Sequence, residues 1–521
     1  MTPPLEVPPL GILEEEAQRR FDRLQQKLIR HWERIRRLND SEQTIVVVPS
    51  LSLDFECQGA EMQAYEERML FMLLLLRQPS ARMVYATSQT ILPDTLDYYL
   101  SLLPGVVKVH ALARFHNVAV EDRTPRPLSV KLLERPHVLE RIRSLIRNPD
   151  STHLVAFNVT RYERDLALRL GIPLYGADPK FWPLGSKSGS REVFEAAGAS
   201  YPIGVENLRS LEEVEAALTE MRRKRPDIVS AMVKLNDGVS GDGNAVVDLA
   251  RLPDDGEVAA AALQERLHAI RFESSSATFE GFFDAIAKLG GVVEERIEGT
   301  GFASPSVQMR VTPLGEVEVL STHDQLLGGP GGQSFLGSKF PADPRYGPLI
   351  ASEARKIGQE LARRGVLGRF AVDFVVVRDE KDLWQSYAIE INLRKGGTTH
   401  PFLILQFLTD GRFDPETGEF RAPNGVAKYY VTSDHLERTL YHAFSPAQLL
   451  DVLIRHGLHF DHARQTGILV HMLAAIAENG RFGVVAVEND PSDAQRLYEK
   501  VQQVVTDEAR RAITPRKLPD I

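Results

Sequence analysis

Two β-rich runs constrain this chain more than any other feature: "GRFAVDFVVV" at 368–377 and "YAIEINLR" at 387–394. In a strand, alternate side chains share a face, so Glu390, Asn392 and Arg394 stand in one row while Ile391 and Leu393 pack behind. The linker "RDEKDLWQS" reads as a hairpin turn, which makes the two runs antiparallel neighbours and brings Asp373 to that row. Asp373, Glu390 and Asn392 then form an oxygen set of the kind Mg²⁺ takes from one or two carboxylates together with nucleotide phosphates. Arg394, one step beyond, has the fork that grips phosphate. A half-exposed hairpin with polar residues outward has the same pattern, but "KGGTTHP" is an odd end for it.

At 521 residues with a net charge of -9, the chain is long enough for three or four domains and a poor match for nucleic acid or an anionic membrane. The single cysteine, Cys57, excludes an internal disulfide, and no Cys/His cluster has zinc spacing. A reducing cytoplasm is the expected location. "MTPPLEVPPL" does not read as a signal peptide, and the apolar run "MLFMLLLL" is too short to span a bilayer and reads as a core helix.

Periodicity divides the chain into an N-terminal tail and long charged helix (1–43), a small parallel α/β domain (44–183), a central α+β segment (184–430) and a C-terminal α+β segment (431–521). Phe21, Leu24, Leu28 and Trp32 recur at helical spacing, as expected of a helix docked on its own domain.

Further groups point to phosphate. In "AMVKLNDGVSGDGNAVVDL" a strand ends near Lys234 and a loop with Gly238, Ser240 and Gly241 precedes a returning strand, a hairpin that can lay backbone N–H groups over an anion. A glycine-rich hairpin with a surface lysine reads the same way. Lys187 stands just before a helix that Ser188 or Ser190 can cap, a position that suits either a solvated lysine or one aimed at a separate anion. "VVEERIEG" carries Glu294, Glu295, Ile297 and Glu298, and strand backbone with an acid suits adenine and ribose hydroxyls, although adjacent glutamates are often only solvated. Neither a P-loop nor a dinucleotide fingerprint occurs.

Taken in order, Lys187, Lys234 with its glycine loop, "VVEERIEG", "VDF" and "EIN" resemble the ATP-grasp superfamily. "STHDQLLGGPGGQSFLG", "EINLRKGGTTHP" and "GRFGVVAVENDPSDAQRLY" are similar to pheganomycin-type peptide ligases within it. The resemblance implies an ATP-grasp fold with a preceding α/β domain and a small C-terminal α+β domain. It implies an ATP-dependent carboxylate–amine ligase working through an acyl phosphate, with ATP and two Mg²⁺ ions. By position, Lys187, Lys234, Gly238, Ser240, Gly241, Glu294, Glu295, Ile297 and Glu298 would meet nucleotide, and Asp373, Glu390 and Asn392 metal. Arg394 and Lys234 would act in catalysis, and Asp324, Gly396, Gly397 and Arg68 would face substrate. Arg296 departs from relatives with an aromatic there. The expected partners are a small carboxylate and an amino-acid or peptide amine, and a homodimer is common for such folds. A regulatory or scaffold nucleotide binder is the alternative, disfavoured by the complete metal set.

Overall fold

The computed structural model describes all residues except 1–9, 38–41, 54–58, 239–242, 254–256, 275, 329–331, 333 and 515–521. Near the N-terminus, Gln43–Val48, Ala81–Thr87, Phe115–Ala119 and Thr152–Ala156 form a four-stranded parallel sheet in the order third, second, first, fourth. Helices cover it, so "QTIVVV" is buried at every residue. The helix Glu14–Arg37 docks here through Phe21 and Leu24, with Trp32 stacked on Tyr175. "MLFMLLLL" is buried as expected, but Leu70–Arg77 is wound as a 3₁₀ helix. Residues two or three apart all have to reach apolar neighbours there, and no solvent face has to be kept.

The segment from Gly204 to Glu295 holds a five-stranded antiparallel sheet in the order Gly204–Leu208, Gly291–Glu295, Ser230–Leu235, Asn244–Asp248, Arg271–Phe272. Leu211–Lys224 and Phe279–Leu289 supply its helical cover, with Val214, Leu218 and Ile286 in the shared core.

A nine-stranded antiparallel sheet runs through the rest of the molecule. Its order is Thr300–Ala303, Gly368–Arg378, Pro305–Val311, Val317–Gly328, Ser334–Phe340, Tyr429–Glu437, Arg481–Glu488, Gly467–His471, with Trp384–Asn392 added beside Gly368–Arg378. The C-terminal strands therefore continue the sheet that carries Asp373. The turn-rich stretch "TDGRFDPETGEFRAPNG" forms a small hairpin, Arg412–Asp414 with Glu419–Arg421, whose Phe420 packs edge-on against Phe340. Pro446–Arg455 and Pro491–Ile513 cover the C-terminal strands through Leu449, Val501 and Val505. Among the described residues, no helix is long and apolar enough to cross a membrane.

Candidate active site

The hairpin expected from the sequence forms: Gly368–Arg378 pairs antiparallel with Trp384–Asn392, and Asp373 stands opposite Glu390. A register irregularity follows immediately, between Asp373 and Phe374. Asn392 donates its Nδ2 to Asp373 Oδ2 at 2.9 Å. Burial first, and then the charge of Glu390, push the Asp373 carboxyl up to about 6. Two acids and an amide oxygen crowded into so dry a place fit a divalent cation, whose charge removes the repulsion that raises the acid.

Lys187 and Lys234 reach the same cavity from two other elements. Lys187 begins the helix Lys187–Ala197 and its Nζ lies 2.7 Å from Glu390 Oε1. The cap of that helix is Ser186, whose hydroxyl accepts from Gly189 N at 3.0 Å, and not Ser188 or Ser190. Ser188 instead donates to Asn236 Oδ1 at 2.7 Å, and Ser190 accepts from the backbone of Ile391 at 3.0 Å. Both serines are thus used to lock the helix to its neighbours. Lys234, on Ser230–Leu235, is paired with Glu294, which also faces Arg191 at 3.4 Å. Glu295 is paired with Arg225 at 3.0 Å, and burial raises its carboxyl above the ordinary range. Glu298 accepts from Ser230 Oγ at 3.0 Å.

A cavity of about 840 Å³ joins these groups. Lys187, Lys234, Gly238, Glu294, Glu295, Ile297 and Glu298 line one part, and Asp373, Glu390, Asn392 and Arg394 another. Gly396, Gly397 and Arg68 also line it. Ser240 and Gly241 lie outside the described residues. Asp324 departs from expectation, because it is not part of the lining: its carboxylate accepts from Tyr346 Oη at 2.7 Å and from the backbone of Asp343 at 3.0 Å. It ties a loop to the sheet. Gly397 has a packing reason as well as an open one, since a Cβ there would meet the Phe335 ring at 2.6 Å.

Arg394 is half-buried, and desolvation lowers its pKa from the ordinary value. Among the described residues it forms no ion pair, although the charges of Glu390 and Asp373 act on it, and its guanidinium donates to the Lys395 carbonyl at 3.5 Å. The next residue anchors the strand end: Lys395 is held by the Ala156 carbonyl of the parallel sheet, and burial brings its ammonium down to about 7.

In the stretch "YEER", Tyr65, Glu66, Glu67 and Arg68 are all buried despite three charges in four residues. Three further residues on the cavity wall were not found from the sequence: Asp434, His435 and Arg481. They lie on Tyr429–Glu437 and Arg481–Glu488, and no local motif marks them.

Comparison with known proteins accounts for this arrangement. The family described as IQCH-like, ATP-grasp matches residues 183–269 and 255–416, and the PGM1 C-terminal domain matches 448–501. The chain is 31% identical over 451 residues to the L-propargylglycine–L-glutamate ligase of Streptantibioticus cattleyicolor, covering 84% of this chain and 89% of that protein. It belongs to the ATP-grasp ligases. As such it is an enzyme that forms a C–N bond between a carboxylate and an amine in an ATP-dependent reaction. The ligase is also 25% identical over 447 residues to IQ motif-containing protein H of Danio rerio, spanning 76% of this chain and 42% of that longer protein. Its fold is shared with biotin carboxylase of Campylobacter jejuni, at a TM-score of 0.52 and 12% identity over 90% of this chain and 95% of that one. The biotin carboxylase domain of Hydrogenobacter thermophilus 2-oxoglutarate carboxylase, solved with MgADP, ADP and bicarbonate, matches at 0.50 and 13% over 88% and 89%.

Proposed function

We propose that the ligase joins the carboxyl group of one amino acid to the amine of a second amino acid or short peptide, releasing ADP and phosphate. The observation that carries this reading is the facing of Asp373, Glu390 and Asn392 with Lys187 and Lys234 across one cavity. A relative named for ligating two amino acids supports the substrate class.

In this reading Lys187 and Lys234 hold the phosphates of ATP, helped by Gly238, Ser240 and Gly241. Glu294, Glu295 and Ile297 take the adenine side, and Glu298 the ribose. Asp373, Glu390 and Asn392 hold Mg²⁺, two ions in our proposal, which neutralises the phosphate charge when bound. The substrate carboxylate attacks the γ-phosphorus, the bond to the ADP oxygen breaks, and an acyl phosphate forms. The amine then attacks the acyl carbon, its proton is lost, and inorganic phosphate leaves. Arg394, which lines the cavity at the end of the metal strand, is placed to stabilise the oxygen that gains charge in both steps. Gly396 and Gly397 let the reacting carboxylate approach the backbone, and Arg68 faces the substrate end.

The test is ADP release from MgATP with pooled amino acids and short peptides, with product masses read in parallel. Glu390→Ala should lower substrate-stimulated ADP release by at least about 1000-fold, the scale of a group that organises phosphoryl transfer. A variant that keeps most of the wild-type rate would remove the metal assignment. A wild type that binds ATP but is stimulated by no amine and carboxylate would remove the ligation reading.

A further inference from the structure

Arg68 follows the helix Glu61–Glu67 as its C-terminal cap and is only 8% exposed. Its guanidinium lies 4.6 Å from the centre of the Tyr65 ring and 5.0 Å from that of Phe157, so two aromatic rings hold it while its N–H groups point to hydrogen-bond acceptors in its plane. One edge donates from Nη1 to Asp434 Oδ2 at 2.7 Å. The Nε is buried with no partner among the described residues. A charged donor buried without an acceptor is costly, and the cavity that Arg68 and Asp434 both line is where an acceptor can be supplied.

Asp434 has no charge to spare for a second cation. Its Oδ1 lies 2.7 Å from His471 Nε2 and 3.4 Å from His400 Nε2, and the two imidazole nitrogens are 2.9 Å apart. All three residues are buried. The contact depends on a missing side chain: Gly483 stands opposite His471, and a Cβ there would meet His471 Nε2 at 2.0 Å. Nearby, Arg481 is engaged by Glu61 at 3.2 Å and by Tyr65 Oη at 3.1 Å. Three guanidinium groups, Arg68, Arg481 and Arg394, thus gather on the cavity wall, where Asp434 and Glu61 are already engaged and Glu390 and Asp373 act on Arg394 from the metal strand.

We propose that Arg68 receives a carboxylate of the amine substrate that takes no part in the reaction, and that Asp434, His471 and His400 form the frame that aims it. The inference rests on the ligation reading above and names its acceptor: an amino acid or peptide whose own carboxylate is free. A planar fork with one edge already fixed suits a carboxylate better than a neutral amide. Arg394, at the end of the metal strand, is left for the reacting group. His471 and His400 are positioning residues, because they act through Asp434 and Arg68.

Initial rates of ADP release from MgATP, with each amino acid compared with its α-amide as acceptor, test this on the full chain. Wild type should prefer the free acid by about 100-fold in kcat/KM, the scale of one lost charge-assisted hydrogen-bond pair. Arg68→Met should erase that preference by raising the acceptor KM, with the KM for ATP unchanged, which also shows that the variant is folded. His471→Gln should raise the same KM about 10-fold at unchanged kcat. Equal use of acids and amides by wild type overturns the proposal. So does an Arg68→Met variant whose kcat falls while the acceptor KM holds, since that places Arg68 on the reacting carboxylate. If no acid or amide stimulates ADP release by wild type, the ligation reading itself fails and takes this inference with it.

Discussion

Glu66 and Glu67 lie side by side in the interior, and they are not equally provided for. Glu66 accepts from Ser88 N at 2.7 Å and Ser88 Oγ at 2.6 Å, while Lys131 donates to the same hydroxyl at 2.8 Å. Glu67 accepts from Ala474 N at 2.9 Å through Oε2, and its Oε1 has no partner among the described residues. Burial accordingly pushes Glu67 up to about 8, above Glu66 at about 7. The sign of the pH effect follows. The folded chain keeps the Glu67 proton up to about pH 8, while the unfolded carboxyl loses it near its ordinary value of 4.5. Stability from this group is therefore intact below pH 4.5 and declines as pH rises to 8. Glu67→Gln removes the ionisation and keeps an acceptor for Ala474. Its stability gain over wild type should be larger at pH 9 than at pH 5 by on the order of 4 kcal/mol. Denaturant unfolding at the two pH values measures it, and a pH-independent difference would contradict the assignment. None of this was legible in "YEER", because burial of a charged tetrapeptide is decided by partners such as Ser88 and Ala474 that come from elsewhere in the chain.

At the scale of elements, the site depends on how the helix Lys187–Ala197 is seated. Its first turn is held by Ser186, by Asn236 and by Ser190 on the strand Trp384–Asn392. Gly189 lets the preceding turn pass under it, and a Cβ there would fall 1.9 Å from the Pro183 carbonyl. Gly189→Ala must lift the helix and carry Lys187 away from Glu390. We expect a loss of about 1–3 kcal/mol in stability, and an ATP KM raised well beyond any change in the amino-acid KM. Thermal melts and initial rates report the two effects, and an unchanged ATP KM would show that the helix is not seated through this contact. The strand pair was legible because a period of two and a short turn leave little choice of register, and Asp373 faces Glu390 as that logic requires. The cap was not, since serines at 186, 188 and 190 look alike until the neighbours that claim two of them are known.

For the whole molecule, the main lesson is the continuity of one sheet. The C-terminal segment reads in sequence as an α+β appendage, yet its strands Gly467–His471 and Arg481–Glu488 extend the nine-stranded sheet beyond Tyr429–Glu437. Pairing between strands far apart in sequence leaves no local signature, so neither this extension nor the meeting of Arg68 with Asp434 could be read in advance. A chain ended after Arg438 loses both strands and the helices that cover them, and leaves Tyr429–Glu437 as a bare apolar edge. Such a chain should aggregate when expressed, as size-exclusion chromatography will show. A monodisperse, cooperatively folding truncation would mean that the C-terminal strands are accessory.

The order of that sheet also has a consequence in time. The groups proposed to bind MgATP are complete once Asn392 and Arg394 have been made, whereas His471, Gly483 and Arg481 come last. Roughly 100 residues separate the two, on the order of 5–20 s of synthesis. During that interval the nascent chain has the residues of a nucleotide pocket and lacks the frame around Arg68. Birth order thus makes the proposed acceptor end of the cavity later to form than its proposed nucleotide end.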